Sequence, residues 1–126
     1  MQVAAIDGVY EVTSSEELES VLAKRVRNDE NQFWLGQNDV EHAVLGIAVR
    51  GEIAYVYFVP NYRCAGFQSL GNLRGLLGHS TDFLIGLHDT ISVQNEFVVP
   101  LSAALAAAKE FFDSGERPSS IEWYEL

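Results

Sequence analysis

One cysteine, Cys64, stands in a chain of 126 residues. No intramolecular disulfide can form, a cysteine-rich zinc site is excluded, and the composition suits a reducing compartment. Basic residues are scarce as well: eight Lys plus Arg face eighteen Asp plus Glu, for a net charge of −10. That balance argues against a direct grip on nucleic acid or on an anionic membrane, because both require clustered cations. A basic partner is what the charge permits, although a moderately acidic surface also simply keeps a protein in solution. Long apolar runs are missing: Ala43 to Val49 and Ile53 to Val59 are the longest, far short of the ~20 residues a spanning helix needs. The first dozen residues carry Asp7 and Glu11 and no basic segment ahead of an apolar one, so no secretory leader and a cytoplasmic location are expected. No repeat, low-complexity tract or Pro/Gly/Ser linker interrupts the chain. Residues 1–126, 48% apolar, are therefore expected to form one domain that buries roughly two-thirds of its unfolded surface.

What is present is a readable series of elements. Val9, Tyr10 and Val12 suggest a short strand within Gly8 to Thr13. Ser14 and Glu17 form a capping-box pair ahead of a helix whose Leu18, Val21, Leu22 and Val26 face inward. After the polar connector Asn28 to Asn31, Phe33-Trp34-Leu35 reads as a strand. The runs Ala43 to Val49 and Ile53 to Val59, split by Arg50-Gly51-Glu52, read as a hairpin at the centre of a sheet, with Pro60 ending the second arm. Tyr62 to His79 is the least regular part, a Gly-rich loop carrying exposed-looking Phe67, Leu70, Leu73 and Leu76. Two extended runs follow, Thr81 to Leu87 and Thr90 to Val99. A helix from Leu101 to Phe112 is expected, with Leu101, Leu105, Ala108 and Phe112 as its apolar stripe, Pro100 before it, and Gly115 and Pro118 beyond it. A short strand at Ile121 to Trp123 closes the series. The order predicts an α+β fold, a mainly antiparallel sheet of about six strands with two helices packed on it and one sheet face or edge left available.

Motifs for chemistry are weak. Gly71, Gly75 and Gly78 lack the spacing of a dinucleotide fingerprint and the Lys-Ser or Lys-Thr of a phosphate loop. His42, His79 and His88, even with Asp82 or Asp89, make no pair at metal-binding spacing. Cys64, His79 and Asp82 have the residue types of a nucleophilic site without any spacing that would assemble one. A small ligand-binding domain or enzyme built on residues 62–82 is the alternative these groups leave open, and a regulatory subunit of a larger assembly is a third.

The end of the chain is more specific. Val99-Pro100, an Ala-rich helix, then Phe111-Phe112-x-x-Gly115-x-Arg117-Pro118, then Trp123 flanked by acids, resembles the C-terminal signature of the first-numbered immunity family of bacterial polymorphic toxin systems. The resemblance is sharp over Glu96 to Glu125. In that family a Glu often follows the Trp directly, whereas Tyr124 intervenes here. The resemblance implies a small α+β protein, without catalytic residues or cofactor, that binds a cognate secreted toxin as a heterodimer and silences it. Such toxins are often nucleic-acid deaminases, whose zinc and catalytic Glu belong to the toxin and not to this chain. The signature residues themselves read as folding one helix onto one strand.

A binding module uses a few large aromatic side chains with acids around them, able to enter a groove lined by Lys and Arg. Trp34, Tyr62 and Phe67 are the candidate anchors; Asp29, Glu30, Asp39, Glu41 and Asp82 are the candidate charges. A toxin acting on DNA or RNA needs a basic cleft, so an acidic surface gains steering and blocks substrate entry without any reaction. The plainer readings are that Trp34 sits in the core and that the acids are solvated turn residues.

Overall fold

A computed structural model describes residues 1–36 and 42–126. Within them the elements are β1 (Gln2–Ala5), β2 (Gly8–Glu11), α1 (Ser15–Leu22), β3 (Glu30–Gly36), β4 (Val44–Arg50), β5 (Ile53–Val59), β6 (Phe67–Leu70), β7 (Ser80–Leu84), β8 (Thr90–Gln94), β9 (Val98–Pro100), α2 (Leu101–Ser114) and β10 (Glu122–Glu125). The main sheet runs β10-β6-β5-β4-β3-β1-β2, with β9 also pairing β5, and β7-β8 is a separate hairpin. Every pairing is antiparallel. The α+β class expected from the sequence stands, with eight strands in the main sheet among the described residues where about six were expected.

Period-two alternation explains how the sheet divides its residues. On one face Phe33 and Leu35 of β3, Leu45, Ile47 and Val49 of β4, and Ala54, Val56 and Phe58 of β5 form a core with both helices. The opposite face of the same strands carries Trp34, Gly46, Ala48, Tyr55 and Tyr57. The β7-β8 hairpin covers part of that second face, where Phe83 and Val93 pack with Ala48, Phe97 and Val98 in a second core. Both faces of β4 and β5 are thus apolar because both meet packed layers, one helical and one extended.

Helix α1 starts where the capping pair places it: the Ser14 hydroxyl accepts from the Glu17 amide at 3.2 Å, and the Glu17 carboxylate accepts the Thr13 amide at 3.0 Å. It ends at Leu22. Val26, expected on its inner face, lies beyond that end, where its amide bonds to the Glu30 carbonyl. The expected stripe of α2 is also rotated. Ala104, Ala107, Ala108 and Phe111 are its buried residues, while Leu105 is exposed. Alanines let the helix axis approach the sheet closely, so the larger Leu side chain turns outward toward the groove beside α1.

Three further differences come from long-range pairing. Strand β1 went unread because Gln2–Ala5 is short, yet it sits between β2 and β3. Strand β6 lies inside the segment expected to be a loop, and Leu70, Leu73 and Leu76 pack against the second core. The run Thr90 to Val99 breaks at a single 3-10 turn, Asn95–Phe97, so that β8 pairs β7 and β9 pairs β5. Ser69, fully buried, holds this junction. It accepts from the Val56 amide at 3.1 Å and donates to the Phe97 carbonyl at 2.8 Å.

Candidate functional site

A row of residues crosses the second sheet face in register: Val9, Ala4, Trp34, Gly46, Tyr57 and Gln68. Gly46 has no side chain, and the Trp34 ring lies over it. A Cβ there would meet Trp34 Cζ3 at 2.7 Å. The indole therefore lies across the sheet instead of standing on it, and meets Tyr57 edge-on at 6.0 Å between centroids. Trp34 and Tyr57 form one wall of an open cleft of about 240 Å³; Gly46 and Ala48 form its floor, and Ile85 and Ile91 of the hairpin form the opposite wall. A second recess, lined by Ile6, Ile85, Gly86 and Leu87, opens on the other side of Trp34. The indole is thus a ridge between two apolar hollows, 37% exposed, with Val9 and Leu87 also exposed.

Polar groups in the cleft are few. The Tyr55 hydroxyl donates to Gln68 Oε1 at 2.9 Å. Burial, and then the neighbouring Tyr57, pushes its phenol up to about 12, so it remains a neutral donor at physiological pH. Acids stand around the hollows. Asp7 follows Ile6 in the β1-β2 turn and accepts from the Tyr10 hydroxyl at 2.9 Å. The Asp89 carboxylate lies beside Gly86, 3.6 Å from where a Cβ would be.

The sequence candidates separate. Asp29 lies in a tight turn with Asn28, both at positive φ, and forms an ion pair with Arg25 at 3.6 Å while remaining exposed. Glu30 ties the hairpin down, its carboxylate accepting from the Leu84 amide at 3.0 Å. Asp82 is exposed on β7, and its carbonyl accepts from Arg50 at 3.0 Å. Arg50 and Glu30 are register partners, so Asp29, Glu30 and Asp82 gather at one end of the sheet. Trp34 is four residues along β3 from Glu30, roughly 13 Å away. Tyr62 is exposed in the loop after β5 with Arg63 stacked over its ring at 5.2 Å. Phe67 is on the helix side of the sheet, 6.3 Å from Phe58 and covered by Arg117 at 4.5 Å, which takes it away from Trp34 altogether. Asp39 and Glu41 lie outside the described residues.

The core placement considered for Trp34 does not hold, since β7-β8 stops short of covering it. Tyr57, Gly46, Ile85 and Ile91 were not singled out in the sequence. A glycine inside a strand was the available signal for close approach. The Gly-rich segment is structural at Gly71, where a Cβ would collide with the Val98 carbonyl. Cys64 and His79 are exposed on separate segments, and among the described residues no group of three His, Cys, Asp or Glu is arranged to hold a metal ion.

The C-terminal signature folds into a clasp. Gly115 adopts the left-handed cap of α2, its amide bonding to the Phe111 carbonyl at 2.7 Å. Glu110 accepts from the Ser119 amide and hydroxyl, both at 2.6 Å, and from the Ser120 amide at 3.2 Å. The Trp123 indole donates to the Pro118 carbonyl at 2.7 Å, and its ring joins Phe58 and Phe111.

Fold and cleft together define a small α+β protein whose sheet carries helices on one face and an apolar, partly open surface on the other. Residues 6–125 match the family described as Immunity protein Imm1, and the chain belongs to that family. A double-stranded DNA deaminase immunity protein of Burkholderia cenocepacia (strain H111) is 26% identical over 123 residues, which cover 95% of each chain. No helix among the described residues is long and apolar enough to cross a membrane.

Proposed function

We propose that this protein neutralises a secreted toxin that attacks nucleic acid, of the deaminase class, by binding it one-to-one in the cytoplasm and obstructing its active site. The observation that carries this reading is the end-to-end likeness, 95% of each chain, to a protein named for immunity against a double-stranded DNA deaminase. Charge supports it: a toxin domain that grips DNA must be cationic at its cleft, and this chain carries −10. No bond is made or broken by the inhibitor. Negative potential draws the partner in, and shape holds it where substrate would enter.

Among the sequence candidates that the structure describes, Asp82 and Asp29, the latter paired with Arg25, are the exposed acids on hand as steering charges, and Trp34 is the exposed aromatic of the sheet. Purified protein mixed with the toxin domain encoded beside its gene should form a one-to-one complex, abolish deamination, and associate more slowly as salt rises. Asp82→Lys should slow association several-fold with the thermal midpoint nearly unchanged. Deamination that persists under saturating protein refutes the proposal.

A further inference from the structure

The cleft beside Trp34 is an apolar hollow on an otherwise strongly acidic protein. We infer that it is the seat for one large apolar side chain of the toxin, presented on a segment flanked by Lys or Arg; this rests on the immunity reading above. Its walls explain the apolar part. Trp34 and Tyr57 face Ile85 and Ile91 across about 240 Å³, room for a Leu, Met or Phe side chain and too little for a helix. The floor is Gly46 and Ala48, so an entering side chain reaches the sheet backbone. Such a seat, apolar at the centre and polar at the rim, is the arrangement in which truncating one aromatic group removes much of the affinity.

The rim explains the basic flanks. Asp7 follows Ile6, and the Asp89 carboxylate lies beside Gly86; Ile6 and Gly86 line the recess on the far side of Trp34, and both acids are exposed. Arg50, the basic residue on the cleft face of β4, is engaged with the Asp82 carbonyl at the far end of the sheet. A cationic segment laid across the ridge therefore meets acids beside the recess and an aromatic wall at its middle.

The experiment labels the whole protein with 5-fluorotryptophan. The sequence has two Trp, Trp34 and Trp123, so two ¹⁹F signals arise and Trp34→Phe assigns them. The ligand is the C-terminal domain of the secreted toxin encoded next to this gene. On saturation the Trp34 signal should shift and lose its solvent-isotope response while that of Trp123 stays in place. Trp34→Ala and Ile91→Lys should each raise Kd at least about 30-fold, and Leu105→Ser on the helix face less than about 3-fold. Wild-type binding with an unmoved Trp34 signal overturns the cleft and leaves the immunity reading intact. No binding by the wild type sinks that reading, and the occupant with it. A Trp34 signal that moves with protein concentration alone assigns the cleft to a second copy of this chain and overturns the proposal.

Discussion

Two glycines in ordinary backbone conformation should respond very differently to a single methyl group. At Gly71 the added Cβ would overlap the Val98 carbonyl oxygen and lie 2.8 Å from its carbon. Both obstacles are backbone, and the strands cannot part without straining the bonds from Gly71 to the Glu96 carbonyl and from Ser69 to the Phe97 carbonyl, each 2.8 Å. Overpacking costs ~1–3 kcal/mol where side chains adjust, and the two weakened hydrogen bonds add about 1 kcal/mol each. Gly71→Ala should therefore lose ~3–5 kcal/mol. At Gly46 the obstacle is the Trp34 ring, whose Cζ3 and Cη2 lie 2.7 and 2.9 Å from the added atom. That ring is already 37% exposed and can swing toward solvent. The loss is its edge contact with Tyr57, ~0.5–1.5 kcal/mol, offset by the ~0.5–1 kcal/mol by which Ala suits a strand better than Gly. Gly46→Ala should cost no more than ~1 kcal/mol, with a changed near-ultraviolet circular dichroism as the Trp34–Tyr57 pair separates. Urea unfolding of both variants, followed by far-ultraviolet circular dichroism, measures the difference. Equal losses at the two sites, or a Gly71→Ala within about 1 kcal/mol of wild type, would show that the mobility of the obstacle does not set the cost.

Glu110 supplies a pH signature. Hydrogen bonds from Ser119 and then Ser120 hold its carboxyl down at about 2, below its unfolded value. Its contribution is thus fully present above about pH 4.5 and is lost as pH falls through about 2. Because the group is largely solvated, Glu110→Gln should cost only ~0.5–1 kcal/mol at pH 7; a urea midpoint difference that persists undiminished near pH 2 contradicts this. Ser69→Ala leaves the buried Val56 amide and Phe97 carbonyl without their partner. A loss of ~2–4 kcal/mol by denaturant unfolding is expected, and a neutral result would show that those groups find other bonds.

The immunity family was legible in the last thirty residues because Phe111, Gly115, Pro118 and Trp123 act on near neighbours, through a cap, a stop and an indole bond. Local rules also reached α1, through Ser14 and Glu17, and the β4-β5 hairpin. The apolar run Ile53–Val59 was legible as a central strand, but one sheet face or edge was expected to stay open, and the β7-β8 hairpin packs on part of that face. What no local rule reached is which layer stops where. Trp34 was a candidate anchor with a core placement as the plainer reading, and it is exposed because the β7-β8 hairpin ends before covering it. Phe67 looked exposed, and its register opposite Phe58 puts it on the helix face, under Arg117. Glu30 looked like a free charge until the fold brought the Leu84 amide to it from fifty-four residues away. Composition determined the charge, short-range spacing determined most of the element types, β1 and β6 excepted, and the C-terminal motif carried the resemblance to the family. The position of the cleft, and which acids stay free beside it, depended on contacts between distant segments, where packing outweighs the intrinsic preference of any one residue.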